Sequence, residues 1–338
     1  MIIRNGVMIG PRVISACSRV ATRAVFTGGG LDLASSCISP PCRSYGSSPL
    51  SSDPPSKGDS NGGVNPSSSN QSHPLEGAVV RCAGFPKDLA KAPSTARDPC
   101  SYGDDSCFIA QFKRTLVAGV ADGVGGWRKY GIDPSQFSNK LMKECEKRVQ
   151  SGSFDPKKPE ELIAKAFKAT AAPPRPIGSS TACVIVVSDY SLYSANLGDS
   201  GFVVVRDGKI LARSKEQTHY FNAPFQLTLP PHGFEGFIGD SPLSAEKHQM
   251  QVESGDMIVV ATDGLWDNLS DEQLLIELKS LTNGSDVQQV CNSIALSARR
   301  LSFDETHPSP FSIRARQHGY DFPGGKPDDI TLILILVQ

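Results

Sequence analysis

Several features that mark other classes of protein are missing from this 338-residue sequence. No apolar run is long enough to span a bilayer, so we expect no integral membrane segment. The formal net charge of −1 and the lack of a long basic run give no reason to expect nucleic acid as a partner. The nine cysteines form neither Cys-x-x-Cys pairs nor a Cys/His spacing that would hold zinc. We expect them to be reduced thiols that mostly pack in the core, such as Cys183.

Acidic residues are also scarce in the first fifty positions, where Asp32 stands alone among many serines and five arginines: Arg4, Arg12, Arg19, Arg23 and Arg43. A basic, serine-bearing and nearly acid-free leader is typical of a mitochondrial transit peptide, which we place at residues 1–48. A secretory signal is disfavoured because arginines interrupt each apolar stretch, whereas a tail without a targeting role remains an alternative. We therefore expect a mitochondrial protein, located in the matrix.

Large apolar residues are few from Ser44 to His73, where Ser, Gly, Pro and Asn dominate. Such a segment cannot bury enough surface to offset the conformational entropy that it would lose on folding. We assign residues 49–76 to a disordered linker. Residues 77–338 then form one folded domain, which is long enough to build a sizeable core.

Hydrophobic periodicity predicts two strands and two helices in the first half of the domain. The strands are Ser106–Phe112 and Thr115–Ala121. The first helix has apolar residues at four-residue spacing from Phe137 to Val149, and the second covers about Pro159–Thr170. Proline ends the second helix.

Short strands return in the second half of the domain. Four of them between Thr181 and Ala212 predict an antiparallel meander. The segment Ser214–Lys247 has no periodicity and is long enough to indicate a functional loop. A further strand, Met257–Thr262, precedes two helices, and this order of elements predicts an α+β fold in which helices cover antiparallel sheets.

The two helices that follow this strand carry starting signals in the sequence. Ser270 with Gln273, and Ser285 with Gln288, match the capping box, in which each side chain closes a backbone donor of the first turn. We therefore expect one helix to begin after Ser270 and the other after Ser285.

Aspartates recur where apolar strands end or begin. Two apolar runs end on an Asp-Gly pair, at Asp122-Gly123 and at Asp263-Gly264. The last strand instead has its acids at its start, so it must run antiparallel to a strand whose acid lies at its end. The acids in loops and at strand ends are Asp104, Asp105, Asp122, Asp199, Asp263, Asp267, Asp328 and Asp329.

Any one of these aspartates is more often a helix cap or a solvated turn residue than a ligand. A cluster of carboxylates, however, is costly to assemble unless a cation compensates the charge. Oxygen-only ligands favour Mg²⁺ or Mn²⁺, whereas zinc would bring His or Cys. The set therefore predicts a centre for two such ions.

Four motifs resemble those of the metal-dependent type 2C serine/threonine protein phosphatases in their order and spacing: Asp122-Gly123 with its following glycines, Gly198-Asp199-Ser200, Asp263-Gly264-Leu265-Trp266-Asp267 and Asp328-Asp329-Ile330-Thr331. The resemblance covers roughly Ser101 to Gln338. The phrase Ala121–Tyr130, the five residues after it and the arginine-rich leader are similar to the mitochondrial branch of the family. The resemblance implies a four-layer αββα sandwich, in which helix pairs flank two antiparallel sheets and the metals lie in a cleft at one edge.

The resemblance also implies a role for each acid at a two-metal centre. Asp122 would bridge the two ions, with the Gly123 carbonyl on the second one. Asp263 and Asp328 would bind the first ion, and these two with Asp122 form the catalytic set. Asp104 would reach the second ion, at a position where the family usually has Glu.

A third and weaker ion belongs to the same resemblance. Asp199 and Asp267 would bind it together with Asp263. Asp105 and Asp329 would lie behind the ligands.

Two departures from the family pattern concern protons and phosphate. Many members have His after Asp-Gly as a general acid, but here Val124 follows and cannot donate a proton. His219 lies in a loop that we expect near the cleft, although a histidine without a catalytic part is the favoured interpretation. Cys100 stands where the family often has a phosphate-binding arginine, and Arg97 is a nearby candidate.

The resemblance implies hydrolysis of phosphoserine and phosphothreonine by a hydroxide held between the two ions. We expect mitochondrial phosphoproteins as substrates and a monomeric chain. The alternative is a catalytically weak module of the same fold that binds a partner through Ser214–Lys247. Retention of Asp122, Asp263 and Asp328 favours the enzyme, because a pure binder has no need for clustered acids.

Overall fold

The computed structural model describes residues 77–88, 101–233, 236–282 and 284–338. The predicted transit peptide (1–48), the predicted linker (49–76), Cys100 and Arg97 lie outside the described residues. The described strands are β1 (Ala78–Phe85), β2 (Ser101–Tyr102), β3 (Asp105–Phe112), β4 (Thr115–Ala121), β5 (Gly178–Ser180), β6 (Ala182–Ser188), β7 (Ser191–Leu197), β8 (Gly201–Arg206), β9 (Lys209–Arg213), β10 (Thr218–Tyr220), β11 (Ala223–Pro224), β12 (Leu227–Leu229), β13 (Glu246–Gln251), β14 (Met257–Ala261) and β15 (Ile330–Val337). The α-helices are α1 (Ser135–Gln150), α2 (Pro159–Thr170), α3 (Asp263–Trp266), α4 (Asp271–Thr282), α5 (Val287–Ser302) and α6 (Pro310–Gln317), and 3₁₀ helices span Gly125–Tyr130 and Pro242–Ser244.

Two larger sheets contain most of the strands in the described residues. One has five strands in the order β1-β15-β14-β8-β9, and the other has six in the order β13-β7-β6-β4-β3-β2. All of their neighbouring strands pair antiparallel. Two small sheets pair β10 with β11 and β12 with β5. This combination of helices with antiparallel sheets confirms the predicted α+β class.

The strands at the centre of the five-stranded sheet are apolar along their whole length. β14 reads Met-Ile-Val-Val-Ala and β15 reads Ile-Thr-Leu-Ile-Leu-Ile-Leu-Val, so both faces of these strands must be covered. β15 pairs antiparallel with β14, with Ala261 opposite Leu332, which confirms the predicted orientation of the last strand. The end of β14 and the start of β15 therefore lie at the same edge of the sheet.

Three hydrophobic clusters form the core of the part of the chain that the structure describes. The first contains side chains of both large sheets, such as Val120 and Ile258. The second combines the six-stranded sheet with α1 and α2 through residues such as Leu141 and Leu162. The third combines the five-stranded sheet with α4 and α5. Cys183 is fully buried in the first cluster, which confirms its predicted packing role.

The predicted meander between Thr181 and Ala212 is wrong. The strands exist, but β6 and β7 pair in the six-stranded sheet, whereas β8 and β9 pair in the five-stranded sheet. The turn between Leu197 and Gly201 carries the chain from one sheet to the other, and Gly198 has a positive φ of 107° there. Turn signals show where consecutive strands end, but they do not show whether those strands pair.

One of the two predicted capping boxes is confirmed. The Ser270 amide donates to Gln273 Oε1 (2.9 Å), and the Gln273 amide donates to Ser270 Oγ (3.3 Å). The second box is wrong, because α5 is capped by Asp286, whose carboxylate accepts from the Gln288 amide at 3.2 Å. An ionised carboxylate next to the helix start is a strong acceptor for the unpaired amides.

Candidate metal centre

Four chain segments bring acids to one edge of the two large sheets. Asp122 follows the end of β4, and Asp199 lies in the turn that connects β7 with β8. Asp263 begins α3 directly after β14, and Asp328 precedes β15. Because β14 and β15 are antiparallel neighbours, the last two acids lie at the same edge, as the sequence predicts.

Hydroxyl groups connect these segments. The Asp122 amide donates to Thr181 Oγ1 (3.1 Å), and this hydroxyl shares a hydrogen bond with Ser200 Oγ (2.8 Å). Thr262 Oγ1 donates to Asp105 Oδ2 at 2.7 Å, and the Thr262 amide donates to the Thr331 carbonyl at 3.0 Å. The end of β4, the turn at Asp199 and the two strands β14 and β15 are therefore fixed relative to one another.

Three of the predicted ligands converge on one point. Oxygen atoms of Asp122, Asp199 and Asp263 all lie within 4.8 Å of one another. Asp328 is close enough for its charge to act on Asp122. One carboxylate oxygen of Asp199, Oδ1, is buried and has no hydrogen-bond partner within the described residues.

Burial and mutual repulsion disfavour the charged forms of these acids. The pKa of Asp122 is raised well above its ordinary value by burial and then by the charge of Asp263. The same two causes, in the same order, raise the pKa of Asp199 and raise the pKa of Asp328 to about 6. A divalent cation would compensate this charge and would also satisfy the unpaired oxygen of Asp199. The donor set is all oxygen, which suits Mg²⁺ or Mn²⁺.

The glycine of each Asp-Gly pair lies against a neighbouring backbone. A Cβ atom at Gly123 would lie 2.6 Å from the Asp104 carbonyl oxygen and 2.9 Å from that of Pro134. A Cβ atom at Gly264 would collide with the Asp329 carbonyl. Both positions therefore require glycine. The backbone of Asp122 and Val124 pairs with that of Ser179 and Thr181, and the carbonyl of Gly123 takes no part in this pairing.

Asp104 forms an ion pair with Arg128, a basic residue that the sequence analysis did not identify. Its carboxylate binds the guanidinium of Arg128, with Nε 3.0 Å from Oδ2 and a second contact from Nη2 to Oδ1. Arg128 lies in the 3₁₀ helix after the glycines, and this helix is fixed by Trp127, whose Nε1 donates to Ser179 Oγ at 2.7 Å. Asp105 is also buried, and its charge acts on Asp122.

Asp329 supports the backbone behind the acids. Its carboxylate accepts from the amides of Lys87 (2.5 Å) and Asp104 (2.8 Å), so it joins three separate segments. The Nζ atom of Lys87 lies 3.8 Å from Asp328 Oδ1. Asp329 thus orients the loop that precedes β3.

Two further cationic side chains were missed by the sequence analysis. Lys326 Nζ lies 2.6 Å from Asp263 Oδ2 and 2.6 Å from Asp267 Oδ2. Burial opposes ionisation of Asp263, but the Lys326 ammonium outweighs it and holds the pKa of Asp263 below its ordinary value. Arg314 contacts the other oxygen of Asp267. The position of Lys326, two residues before Asp328, is the one signal that could have identified it.

His219 contacts two residues of the segment between β9 and β13. Its Nε2 atom is 3.0 Å from Asp240 Oδ2, and its ring stacks on Phe225 with 4.3 Å between centroids. The Ser214–Lys247 loop contacts the turn that contains Asp199 through Gln217, whose amide donates to the Gly198 carbonyl at 2.9 Å. Val124 is half-buried next to Gly123.

Known proteins resemble this chain in both sequence and structure. The family model described as Protein phosphatase 2C matches residues 98–294, which include Asp122, Asp199 and Asp263. Protein phosphatase PTC7 homolog of Xenopus laevis is 47% identical over 265 residues, covering 77% of this chain and 89% of that protein. The Homo sapiens protein of the same name is 46% identical over 267 residues, covering 77% and 87%. The X-ray structure of the photosystem II phosphatase PBCP is 29% identical, with a TM-score of 0.66 and coverage of 78% and 99%.

Proposed function

Because this chain belongs to the protein phosphatase 2C family and is a protein serine/threonine phosphatase, we propose that it hydrolyses phosphoserine and phosphothreonine on mitochondrial proteins with two divalent cations, Mn²⁺ or Mg²⁺. Dependence on metal ions is general to the family. The observation that carries the proposal for this chain is the convergence of the Asp122, Asp199 and Asp263 carboxylates within 4.8 Å.

We propose for the ligands the roles that the family resemblance implies. Asp122 would be shared by both ions, Asp263 and Asp328 would hold the first, and the Gly123 carbonyl would serve the second. Asp104 would reach the second ion only after release from Arg128. When bound, the cations supply the charge that lowers the pKa of a water molecule and neutralises the phosphoryl oxygens.

Basic side chains beside the acids are suited to position the phosphate. Arg128 is 55% exposed and shares its guanidinium with Asp104, while Lys87 is 56% exposed beside Asp328. A guanidinium presents two parallel N–H donors to a phosphate, so Arg128 is our candidate for the role that the sequence analysis gave to Arg97. The described contacts of His219 are with Asp240 and Phe225 and not with the acids of the centre, which supports water, rather than this histidine, as the source of the proton for the leaving group.

We also infer the helix–sheet–sheet–helix order of layers that the sequence analysis predicts. Three hydrophobic clusters of the described residues support this order. One is shared by both sheets, and each of the other two joins one sheet to its own helices. In this arrangement the metal centre lies at one edge, where a phosphorylated segment of another protein can approach. A cavity of about 440 Å³ beside Asp199, lined in part by Trp266 and Arg314, adjoins that edge.

The mitochondrial location rests on the composition of residues 1–48, which contain five arginines and one acid. In the part of the chain that the structure describes, no helix combines the length and the apolar character needed to cross a bilayer. Import of a fusion between this leader and a reporter protein would test the location.

Hydrolysis of a phosphoserine peptide by the purified chain tests the chemistry. We expect activity with Mn²⁺ or Mg²⁺, loss of activity in EDTA, and recovery when the metal is returned. Asp122→Asn should abolish activity without changing the far-ultraviolet circular dichroism spectrum, because it removes charge from the shared ligand. Asp321→Asn, at an exposed aspartate, is the matched control and should behave like the wild type. Undiminished turnover by Asp122→Asn would reject Asp122 as the shared ligand, whereas a wild type without metal-dependent turnover would support the alternative of a binding module.

A further inference from the structure

The ammonium group of Lys326 occupies a position that resembles a cation site. It lies between Asp263 Oδ2 and Asp267 Oδ2, 2.6 Å from each, and 3.7 Å from Asp328 Oδ2. The aromatic ring of Phe311 covers it, with 5.1 Å from Nζ to the ring centroid. Its side chain is only 17% exposed.

The backbone of Lys326 is fixed by a single buried amide side chain. Asn268 Oδ1 accepts from the Lys326 amide at 2.8 Å, and Asn268 Nδ2 donates to the Lys326 carbonyl at 2.9 Å. Asn268 has no exposed surface and also donates to the Gly264 carbonyl, so the lysine is held relative to the Asp263-Gly264 pair. A surface lysine that met these acids by chance would not have such an anchor.

Both carboxylate oxygens of Asp267 are bound by cationic side chains. Oδ2 accepts from Lys326, and Oδ1 accepts from Arg314. A metal ion on Asp267 would have to displace one of them. Asp263, in contrast, uses Oδ2 for Lys326 and still belongs to the group of three carboxylates with Asp122 and Asp199.

We propose that Lys326 supplies the third cation of this centre from the chain itself, so that the enzyme holds two divalent ions and Asp267 binds Lys326 instead of a metal. This inference rests on the proposed two-metal function. The Asp263–Asp267 pair is where the family resemblance places a third, weaker ion. Here the ammonium, together with Arg314 on the other oxygen of Asp267, compensates the charge of that pair independent of the metal concentration, and Asp199 is left to the two-ion centre.

A phosphate-binding role for Lys326 is less consistent with its surroundings. Its Nζ faces three carboxylates and an aromatic ring, and these carboxylates would repel a phosphoryl group. Arg128 and Lys87 are more than half exposed and therefore better placed for a phosphorylated substrate.

The number of ions bound per chain tests the proposal. Equilibrium dialysis of the full chain against Mn²⁺, with isothermal titration as a second measurement, should give two ions for the wild type. Lys326→Gln should bind one additional ion, because it frees Asp263 Oδ2 and Asp267 Oδ2, and its affinity for that ion should exceed that of the wild type by at least about tenfold. Lys326→Gln combined with Asp267→Asn should return to two ions. Lys209→Gln, at an exposed lysine of the β8–β9 hairpin, is the matched control.

Thermal melting gives a second reading on the same variants. Without metal, Lys326→Gln should melt at a lower temperature than the wild type, since it leaves buried carboxylates uncompensated. High Mn²⁺ should raise its melting temperature more than that of the wild type. Asp267→Asn alone should bind the same number of ions as the wild type, a comparison that tests the proposal even if Lys326→Gln does not fold.

Three results would overturn the inference. A wild-type chain that binds three ions, or a folded Lys326→Gln variant that still binds two, would reject it and leave the proposed phosphatase chemistry intact. A wild-type chain that binds fewer than two ions would overturn the two-metal function, and this inference with it.

Discussion

Asp328→Asn should stabilise the metal-free protein at neutral pH even though it removes a proposed metal ligand. In the metal-free fold, burial and the charge of Asp263 raise the pKa of Asp328 from its ordinary value of 3.8 to about 6. The folded protein therefore binds this proton more tightly than the unfolded chain does. By linkage, the free energy of unfolding falls as the pH rises from about 4 to about 6, and it stays low above that range.

The size of the effect follows from the same shift. A rise from 3.8 to about 6 corresponds to at most about 3 kcal/mol at neutral pH. The Asp328 side chain is 30% exposed, so solvent screening reduces this contribution, and we expect about 1–2 kcal/mol. Asparagine has nearly the same shape and carries no charge, so the variant should gain this amount.

Denaturant unfolding in EDTA, followed by the fluorescence of Trp127 and Trp266, measures the difference. At about pH 7.5 the variant should be the more stable protein, and at about pH 4 the two proteins should be alike. Added Mn²⁺ should reverse the order, because it stabilises the wild type by binding to the folded state. Asp321→Asn, an exposed control, should unfold like the wild type under all of these conditions.

A variant that is less stable than the wild type in EDTA at about pH 7.5 would refute the reasoning. It would mean that Asp328 forms net favourable interactions without metal, for example with Lys87 or Lys326, whose Nζ atoms lie 3.8 and 3.7 Å away. Burial and the repulsion from Asp263 would then cost less than these attractions contribute.

Three other predictions concern separate parts of the chain. Asp286→Ala should lower the free energy of unfolding by about 1 kcal/mol, because it removes the cap of α5. Ser285→Ala should change this free energy little, and the reverse ranking would contradict the capping geometry. His219→Gln should affect hydrolysis of p-nitrophenyl phosphate and of a phosphoserine peptide equally, and a much larger loss with the peptide would identify this histidine as the general acid. A reporter fused to residues 1–48 should remain in the cytosol when glutamine replaces four arginines of the leader: Arg4, Arg12, Arg19 and Arg23. Import of that variant would contradict the targeting role.

Local patterns explain which parts of the fold could be predicted. The helices α1 and α2 and the strands β4, β14 and β15 each have a period or an apolar run of their own, and the helix at Pro159–Thr170 was predicted with the bounds that the structure has. The acids that converge also carry a local signal, since Asp122 and Asp263 each follow an apolar strand and precede a glycine. Antiparallel orientation then places Asp263 and Asp328 together.

Contacts between distant segments explain what could not be predicted. Lys326 meets Asp263 and Asp267 from 63 and 59 residues away, so no short window of sequence contains the pair. The separation of the β6–β7 and β8–β9 hairpins into different sheets depends on tertiary packing in the same way. Arg128 lies close to Asp122 in sequence, but its contact with Asp104 requires the glycine turn after β4 to pack against the start of β3, where the Gly123 amide donates to the Asp104 carbonyl.

The hydrophobic cluster shared by the two sheets affects which size of ion the carboxylates can hold. Asp122 is attached to one sheet, and Asp263 and Asp328 are attached to the other, so the volume of the side chains between the sheets determines how far apart the carboxylates lie. Val120, two residues before Asp122, is fully buried in that cluster. Replacing it with alanine should let the sheets approach and should change the ratio of Mg²⁺-supported to Mn²⁺-supported turnover. An unchanged ratio would show that the ion selectivity of the phosphatase is set by the loops alone.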